Sequence, residues 1–319
     1  MSPGTLVSSK RHWPLLPLSE WQDTRATLHL WTQIVGKVRL AQTPWINHSW
    51  HTALYLTSRG LTTSPIPYGD RSFQIDFDFV DHTLLVRESG GGFRTVQLEP
   101  RSVADFYAAV MDALEELGIT VSINKLPNEL PDVIAFDQDE VHRSYDPDAV
   151  HRFWRILAAS DEVFTHFRTA FVGKVSPVHF FWGSFDLAVT RFSGRRAPMH
   201  PGGVVNLPDA VAREAYSHEV SSAGFWPGDA ATPYPAYYSY AYPEPDGFRT
   251  AKVAPPGAAF NKVLSEFILP YDEVRKAPNP RAALLEFLES TYRAAADAAQ
   301  WDRPALECAL GIPGVPRRV

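Results

Sequence analysis

The sequence lacks the features on which several classes of protein depend, beginning with cysteine. Its one cysteine, Cys308, excludes an internal disulfide and any zinc or iron–sulfur site that needs several thiolates. No segment approaches the roughly 18 consecutive apolar residues of a membrane-spanning helix. The first residues also lack the cationic start and apolar run of a signal peptide. These absences predict a cytoplasmic protein that has no membrane partner.

Excess positive charge and nucleotide-binding motifs are absent as well. The formal net charge is -6, and acidic and basic residues are interspersed without a basic stretch, so we expect no nucleic-acid partner. The sequence contains no glycine-rich phosphate loop, no dinucleotide-binding fingerprint and no GxSxG nucleophile elbow. A nucleotide cofactor is therefore not predicted, and the oligomeric state stays open.

The sequence is rich in apolar and aromatic side chains. Of its 319 residues, 45% are hydrophobic and 21% are charged, which is typical of a folded globular chain with a large core. Aromatic residues make up 13% and include nine tryptophans; such rings fill cores and also line ligand cavities. The length allows two domains of ordinary size.

The most conspicuous segment, residues 176–196, reads SPVHFFWGSFDLAVTRFSGRR. With the two-residue period of a strand, it predicts one long strand that is apolar on both faces, with His179 on one face and Asp186 on the other. Buried polar groups need partners because unpaired ones are costly. The two side chains are either satisfied within the core or form a pocket wall, with Trp182 and Arg191 nearby to contact a ligand.

Periodicity predicts most of the remaining elements. Apolar residues at three- and four-residue spacing indicate helices over residues 23–40, 102–117, 147–171, 258–267 and 281–301. Shorter apolar or alternating runs indicate strands over residues 51–57, 72–80, 83–87 and 93–98. A tyrosine-rich strand follows residue 234, and its rings would floor a ligand pocket.

The predicted strand over residues 72–80 alternates strictly between apolar and polar side chains. Its polar face carries Gln74, Asp76 and Asp78. The spacing of the two aspartates would suit a cation, but we interpret the polar side as a solvated sheet face.

Two short patterns occur twice in the same order. VGKV follows helical periodicity at residues 35–38 and 172–175, and GFRT precedes a proline turn and a predicted helix at residues 92–95 and 247–250. We interpret this as an internally duplicated α+β fold of two similar halves, each a mostly antiparallel sheet packed against helices, related by a pseudo-twofold axis with a pocket near the seam. The predicted segments are an extended N-terminal arm (1–17), a first half (18–125), a linker (126–147), a second half (148–303) and a C-terminal tail (304–319).

An insertion at about residues 195–235, rich in glycine and proline, makes the second half longer than the first. Functional residues favour loops that a rigid scaffold positions. The insertion region contains the candidate site residues Arg195, His200, His218, Glu219, Ser221 and Trp226.

Three interpretations of these residues compete. His179, His200, His218 and Glu219 would bind a divalent transition metal, although no HExxH spacing supports this set. Alternatively, His218 pairs with Glu219 or Asp186 in a metal-free acid–base site, and Arg191 or Arg195 holds an anionic substrate beside Trp182, Ser221 and Trp226. The third interpretation is that the insertion only covers an open sheet face and satisfies its polar groups locally.

Three long segments carry a resemblance to a known family: WPLLPLSEWQDTRATLHLWTQIVGKVRLA, SPVHFFWGSFDLAVTRFSGR and EAYSHEVSSAGFWPG. Together they resemble an uncharacterised bacterial family that is catalogued only as a domain of unknown function. The resemblance extends over about residues 12–303 and implies one full-length bacterial family unit. It implies no activity, cofactor or catalytic residue.

Three functional hypotheses remain. The leading one is an enzyme that acts on a small polar or anionic metabolite, with His179, Asp186, His218 and Glu219 as acid–base or metal-binding groups. The second is a non-catalytic small-molecule binding protein with an aromatic-lined pocket, and the third is a protein-interaction scaffold. Polar groups that converge in a cavity would favour the enzyme, rings alone the binder, and a large exposed apolar patch the scaffold.

Overall fold

A computed structural model describes residues 13–229 and 232–317 of the chain. Within these ranges there are seven α-helices and two antiparallel sheets of six strands each. The α+β class is therefore confirmed, and the layout of two sheets fits the predicted duplicated architecture. Residues 1–12 of the predicted arm and residues 318–319 of the predicted tail lie outside the described residues.

The helices that the sequence predicts most clearly are present. The first contains almost only buried side chains along its middle, and Ser102 caps the second by accepting a hydrogen bond from the Asp105 amide at 3.0 Å. No helix in the described part of the chain has both the length and the apolar character to cross a membrane. The helices are α1 (Gln22–Gln42), α2 (Val103–Glu115), α3 (Pro147–Thr169), α4 (Asp209–Ala215), α5 (Tyr271–Lys276), α6 (Pro280–Ala298) and α7 (Arg303–Leu306).

The first sheet has the two unlike faces that its alternation predicts. The apolar face packs against α1 and α2, and the ring of Phe77 lies 6.5 Å from that of Phe106. On the other face Asp76 pairs with Arg87 at 2.7 Å and Asp78 with Arg59 at 2.5 Å, so the interpretation as a solvated face is confirmed. The strands are β1 (Tyr55–Leu56), β2 (Gly60–Thr62), β3 (Ile66–Tyr68), β4 (Arg71–Asp78), β5 (Thr83–Glu88) and β6 (Phe93–Gln97).

The second sheet also has two unlike faces. Leu187, Phe225 and Tyr237 belong to an apolar face covered by α3 and α6. The Tyr237 hydroxyl reaches Ser160 of α3 at 2.9 Å. The strands are β7 (His179–Phe181), β8 (Asp186–Arg196), β9 (His218–Trp226), β10 (Ala236–Tyr242), β11 (Ala259–Asn261) and β12 (Glu266–Pro270), in the spatial order β11-β12-β10-β9-β8-β7.

The prediction of one strand over residues 176–196 is wrong, because a tight turn divides it into the hairpin β7–β8. The Phe185 amide donates to the Phe181 carbonyl at 2.8 Å, and Phe185 has a positive φ of 60°. Phe181 then pairs with Asp186, and His179 with Ala188. Opposite residues of an antiparallel pair share a face, so His179 and Asp186 lie on the same face of the sheet rather than on opposite faces.

The predicted helix over residues 258–267 is also wrong. This region forms β11 and β12, and Phe267 of β12 pairs with Ser239 of the tyrosine-rich strand β10, which the sequence predicts correctly. A short apolar run fits helical and strand periods equally well. Here the segment forms a strand that pairs with the edge of β10.

Among the described residues, one antiparallel bridge, between Leu54 and Phe180, joins the two sheets. The Phe180 amide donates to the Leu54 carbonyl at 2.7 Å, and the Leu54 amide donates back at 2.9 Å. The repeated tetrapeptides, however, differ in conformation: the first VGKV lies inside α1 and the second follows α3, while the first GFRT opens β6 and the second forms a short 3-10 helix, Phe248–Thr250.

Candidate functional site

A cavity of about 580 Å³ lies between the polar face of the second sheet and the N-terminal part of helix α1. Strands β8, β9, β10 and β12 form its floor and contribute Asp186, Ser222, Tyr238 and Glu266, respectively. Helix α1, the predicted linker and the predicted insertion form the walls and the roof. The cavity is large enough for a metabolite-sized ligand.

Asp186 is the best-placed reactive group on the floor. Its side chain is buried, and Oδ2 accepts a hydrogen bond from the Tyr238 hydroxyl. Its other oxygen, Oδ1, has no hydrogen-bond partner. Burial, with a smaller contribution from the charge of Glu129, raises the pKa of Asp186 to about 7, so the protonated and ionised forms are both populated at neutral pH.

The contact between Tyr238 and Asp186 depends on a glycine in the strand between them. Gly224 of β9 pairs with Ala188 on one side and Tyr238 on the other. A Cβ atom at Gly224 would overlap both the Leu187 carbonyl oxygen and the Tyr238 hydroxyl. The missing side chain therefore lets the tyrosine ring lie across β9 and reach β8.

Glu129 enters the cavity from the linker. Its Oε2 accepts a hydrogen bond from the Ser184 hydroxyl at 2.5 Å, and a Cβ atom at Gly183 would overlap its carboxylate. Burial raises the pKa of Glu129. The turn between β7 and β8 thus has two roles: it reverses the chain, and its residues Gly183 and Ser184 contact the Glu129 carboxylate.

Glu266 of β12 is the third carboxyl group with a perturbed pKa. Burial and the nearby charge of Asp186 raise the pKa of Glu266 to about 7. No basic side chain is among the groups that influence the pKa values of Glu129, Asp186 and Glu266. Arg25, which also lines the cavity, interacts electrostatically with Asp229 instead. Within residues 13–229 and 232–317, the floor is therefore acidic and no basic side chain is paired with these three carboxyl groups.

Two neutral histidines complete the polar lining. The Nδ1–H of His179 donates to the Pro177 carbonyl at 2.7 Å, which leaves Nε2 as an acceptor, and this buried atom has no partner. Burial lowers the pKa of His179 to about 4. His29 donates from Nε2 to the Gly183 carbonyl at 2.8 Å, and burial lowers its pKa to about 3.

The insertion forms the roof and is fastened to the rest of the chain. Asn128 of the linker donates to the Asn206 carbonyl, and the Asn206 amide donates to the Leu130 carbonyl, each at 2.6 Å. Val204 and Tyr216 face the cavity from this roof, and the Tyr216 hydroxyl lies 2.8 Å from that of Tyr240. These contacts support the interpretation that the insertion covers a sheet face.

The structure brings together only part of the predicted site. His179, Asp186 and Trp226 line the cavity. His218 lies outside it, with Nδ1 3.0 Å from the Ser217 hydroxyl, and Glu219 pairs with Arg195 at 2.7 Å. The predicted pairing of His218 with Glu219 or Asp186 is therefore not formed.

The predicted metal ligands are not assembled either. His200 stacks on Tyr216 with 4.8 Å between ring centroids, and its Nδ1 accepts from the Gly202 amide at 3.0 Å. Among the described residues, no group of three or more histidine, cysteine, aspartate or glutamate side chains could hold a metal ion. The set His179, His200, His218 and Glu219 therefore does not form a metal site in this structure.

The remaining candidates for ligand binding have structural contacts elsewhere. Arg191 is buried on the apolar face against the ring of Phe167 and donates to Glu289 at 3.3 Å. Arg195 is held by Glu219 and also donates to the Ala299 carbonyl at 2.6 Å. Neither guanidinium faces the cavity, so neither is available there to hold an anion.

Ser221 and Trp182 likewise lie away from the cavity. Ser221 is on the opposite face of β9 from Ser222, because successive side chains of a strand alternate. Trp182 packs on Gly36 of α1, where a Cβ atom would overlap the indole, and its Nε1 donates to the Thr52 carbonyl at 2.8 Å. Both residues fix the fold rather than line the site.

Comparison with known proteins gives a family for the chain. A search of curated proteins found no match, and neither did a search of solved structures. A scan against protein families matches residues 13–308, which include every residue of the cavity described above. Because that match extends over most of the sequence, the chain belongs to the family of unknown function DUF5996.

Proposed function

We propose that this protein is an enzyme that binds a small polar molecule in the cavity and uses Asp186 to transfer a proton to or from it. The observation that carries the proposal is the state of the Asp186 carboxyl group. One oxygen is fixed by Tyr238, and the other is buried without a partner on a residue that lines the cavity. A general acid or base needs a positioned carboxyl group within reach of its substrate.

The electrostatics of the site support this role. An acid–base group works best when its pKa lies near the working pH, and that of Asp186 is raised to about 7. Tyr238 remains protonated, because burial raises its pKa well above the usual value, so its hydroxyl stays a hydrogen-bond donor. The acidic lining favours a neutral or cationic substrate over the anionic one that the two arginines suggested.

Nuclear magnetic resonance of protein labelled at the aspartate side-chain carboxyl carbons would test the proposal. We expect one resonance to titrate near pH 7, in keeping with the raised pKa of Asp186, and to be missing in Asp186→Asn. Turnover in a screen of neutral and cationic small molecules should be lost in Asp186→Asn. Glu116→Gln, which changes an exposed carboxylate at the end of α2, should retain it. A spectrum in which every aspartate titrates in the acidic range would contradict the proposal.

A non-catalytic binding protein is the second candidate, and the aromatic lining favours it. Tyr216, Tyr238, Tyr240 and Trp226 all line the cavity, and Tyr238 and Tyr240 stack with 6.1 Å between ring centroids. Rings of this kind hold ligands without reacting with them. Recovery of a bound compound that the protein leaves chemically unchanged, with affinity insensitive to Asp186→Asn, would favour this candidate.

A further inference from the structure

The geometry points to a protonated organic amine as the ligand class of this cavity, with its ammonium group held by Asp186 and its positive charge favoured by Glu266. This inference rests on the proposed function only in using the same cavity. It would stand even if Asp186 held the ligand without transferring a proton.

The first argument is the supply of hydrogen-bond acceptors. Asp186 Oδ1 and His179 Nε2 are both buried and both lack a partner, and both residues line the cavity. The His179 tautomer is set by the bond from Nδ1–H to the Pro177 carbonyl, so Nε2 can only accept. An ammonium group has up to three N–H donors and no acceptor, and it therefore complements such a pair. A carboxylate or phosphate ligand would bring further acceptors to these two atoms, and the one unpartnered donor among the described lining residues, Arg25 Nε, belongs to a side chain that already interacts with Asp229.

The second argument is charge. Glu129, Asp186 and Glu266 all line the cavity, and burial raises the pKa of each. Arg25 is the cationic side chain among the lining residues, and it interacts with Asp229. Buried carboxylates are stable when an opposite charge pairs with them. A bound ammonium group would supply that charge and favour the ionised form of the floor.

Lys174 does not supply the missing charge. Its Nζ lies 3.1 Å from His48 Nε2 and over the rings of Trp50 and Phe192, at 5.3 and 4.9 Å from their centroids. His48 lines the cavity, whereas Lys174 is not among the lining residues. The lysine is thus already engaged by an imidazole and two aromatic faces.

The third argument is the organic part of the ligand. The stacked rings of Tyr238 and Tyr240 stand beside Asp186, with Tyr216 and Trp226 also in the lining. Aromatic faces attract both apolar groups and cations. A bare metal ion would use neither these rings nor the cavity of about 580 Å³, and the described residues contain no cluster that could hold a metal.

Isothermal titration calorimetry of the full-length protein at neutral pH would test the inference with probes of one shape and different charge. Benzylamine, benzyl alcohol and benzoate provide a cation, a neutral molecule and an anion of similar size. We expect benzylamine to bind at least about tenfold more tightly than benzyl alcohol, because charge-assisted hydrogen bonds exceed neutral ones, and benzoate to bind most weakly. Benzyltrimethylammonium, which has the charge but no N–H, should bind less tightly than benzylamine.

Variants then locate the ammonium group. Asp186→Asn and Glu266→Gln keep the shape of each side chain, remove one negative charge and should each raise the Kd of benzylamine by about tenfold or more. Glu116→Gln removes an equal charge from the exposed end of α2 and should leave the Kd unchanged. Failure of benzylamine to bind the wild type, or binding of benzyl alcohol or benzoate that is as tight, would overturn the inference.

Equal binding of benzyltrimethylammonium would also overturn it, since the acceptor atoms would then have no role. The proposed function fails separately. If Asp186 does not titrate near neutrality but benzylamine binds more tightly than benzyl alcohol and benzoate, the inferred ligand class is supported and the proposed proton transfer is wrong. If Asp186 titrates as expected and the amine is not preferred, only the ligand class is wrong.

Discussion

The two sheets carry acidic residues in similar positions but treat them in different ways. On the first sheet Asp76 and Asp78 project from a polar face and pair with Arg87 and Arg59 in partly exposed ion pairs. On the second sheet Asp186 and Glu266 project from the corresponding polar face into the cavity, and no basic residue in the described part of the chain influences their pKa values. The first arrangement stabilises a surface, whereas the second holds carboxyl groups ready for a ligand.

The difference comes from what covers the sheet and not from the strands alone. Residues of the predicted insertion and linker line the cavity above the second sheet, and burial raises the pKa of the carboxyl groups beneath them. The first sheet has arginines on its own neighbouring strands and loops instead. An acidic residue on a sheet thus becomes a candidate for chemistry when it is covered and when its neighbours lack positive charge.

The largest expected effect comes from adding a methyl group to a close-packed glycine in each sheet. At Gly60 a Cβ atom would overlap the Phe77 carbonyl oxygen, and at Gly224 it would overlap the Leu187 carbonyl oxygen. We expect Gly60→Ala and Gly224→Ala each to lower the free energy of unfolding by about 3 kcal/mol, measured by denaturant titration, because a backbone atom cannot move aside cheaply.

Only the second of these variants should also affect the site. Gly224→Ala displaces the Tyr238 hydroxyl and should change the titration of Asp186, whereas Gly60→Ala should leave it as it is. If Gly224→Ala kept full stability and an unchanged titration, Tyr238 would not depend on this glycine in the way described.

The second prediction concerns pH and stability. In the unfolded chain an aspartate has a pKa of about 3.9, whereas the pKa of Asp186 in the folded protein is about 7. Between these two pH values the folded protein therefore binds more protons than the unfolded chain. The stabilising contribution of Asp186 is complete below the lower value and is lost as the pH rises through the upper one. Asp186 faces Tyr238, Glu129 and Glu266, and the two glutamates take up part of the same protons.

The isosteric variant Asp186→Asn cannot ionise at this position and should not show this loss of stability with rising pH. Between about pH 4 and pH 7 the wild type should lose roughly 2 kcal/mol more of its free energy of unfolding than the variant, measured by denaturant titration across pH. His29 and His179, whose pKa values are lowered, act in the opposite direction, but they are present in both proteins and cancel in the comparison. Parallel pH profiles would show that Asp186 ionises normally in the folded state.

Local periodicity was sufficient to predict much of the fold. Helices α1, α2, α3 and α6, strands β4 to β6 and the tyrosine-rich strand β10 follow from patterns within single segments. His179 and Asp186 were identifiable as candidates because a histidine and an aspartate are unusual in an otherwise apolar strand. The lining tyrosines of β10 followed from the same alternation.

The other half of the site depended on contacts that sequence spacing does not contain. Glu266 was hidden in a segment that also fits a helix, and Glu129 in a proline-rich segment interpreted as a linker. A glutamate in a proline-rich segment gives only a weak signal for a site, because its contact with Gly183 is not visible in the sequence. His218 and Glu219 do not pair with each other, because neighbouring residues of a strand project from opposite faces of the sheet.

A third prediction tests the roof that only the second sheet possesses. Asn206 has a positive φ of 51° and makes both hydrogen bonds to the linker. Asn206→Ala loses the side-chain bond and strains the backbone, and should destabilise the roof by about 1 kcal/mol. Hydrogen exchange should therefore quicken around α4 and stay unchanged in β4 and β5.

The control for this variant is Asn206→Gly, which keeps the left-handed backbone accessible and removes only the side chain. We expect it to loosen the roof less than Asn206→Ala does. Uniform acceleration of exchange through both sheets would mean that the roof is not an independent cover and would weaken the comparison between the sheets.

The smallest expected effect concerns the ion pairs of the first sheet. In a double-mutant cycle of Asp76→Asn and Arg87→Gln, the coupling energy should be below about 1 kcal/mol and should fall with added salt, because the Arg87 side chain is 56% exposed. A matched cycle of Asp186→Asn and Tyr238→Phe should give a larger coupling that depends less on salt, since the Asp186 carboxyl group is buried. If the surface pair coupled as strongly as the buried one, covering would not be what separates the two sheets, and the acidic floor would need another explanation for its raised pKa values.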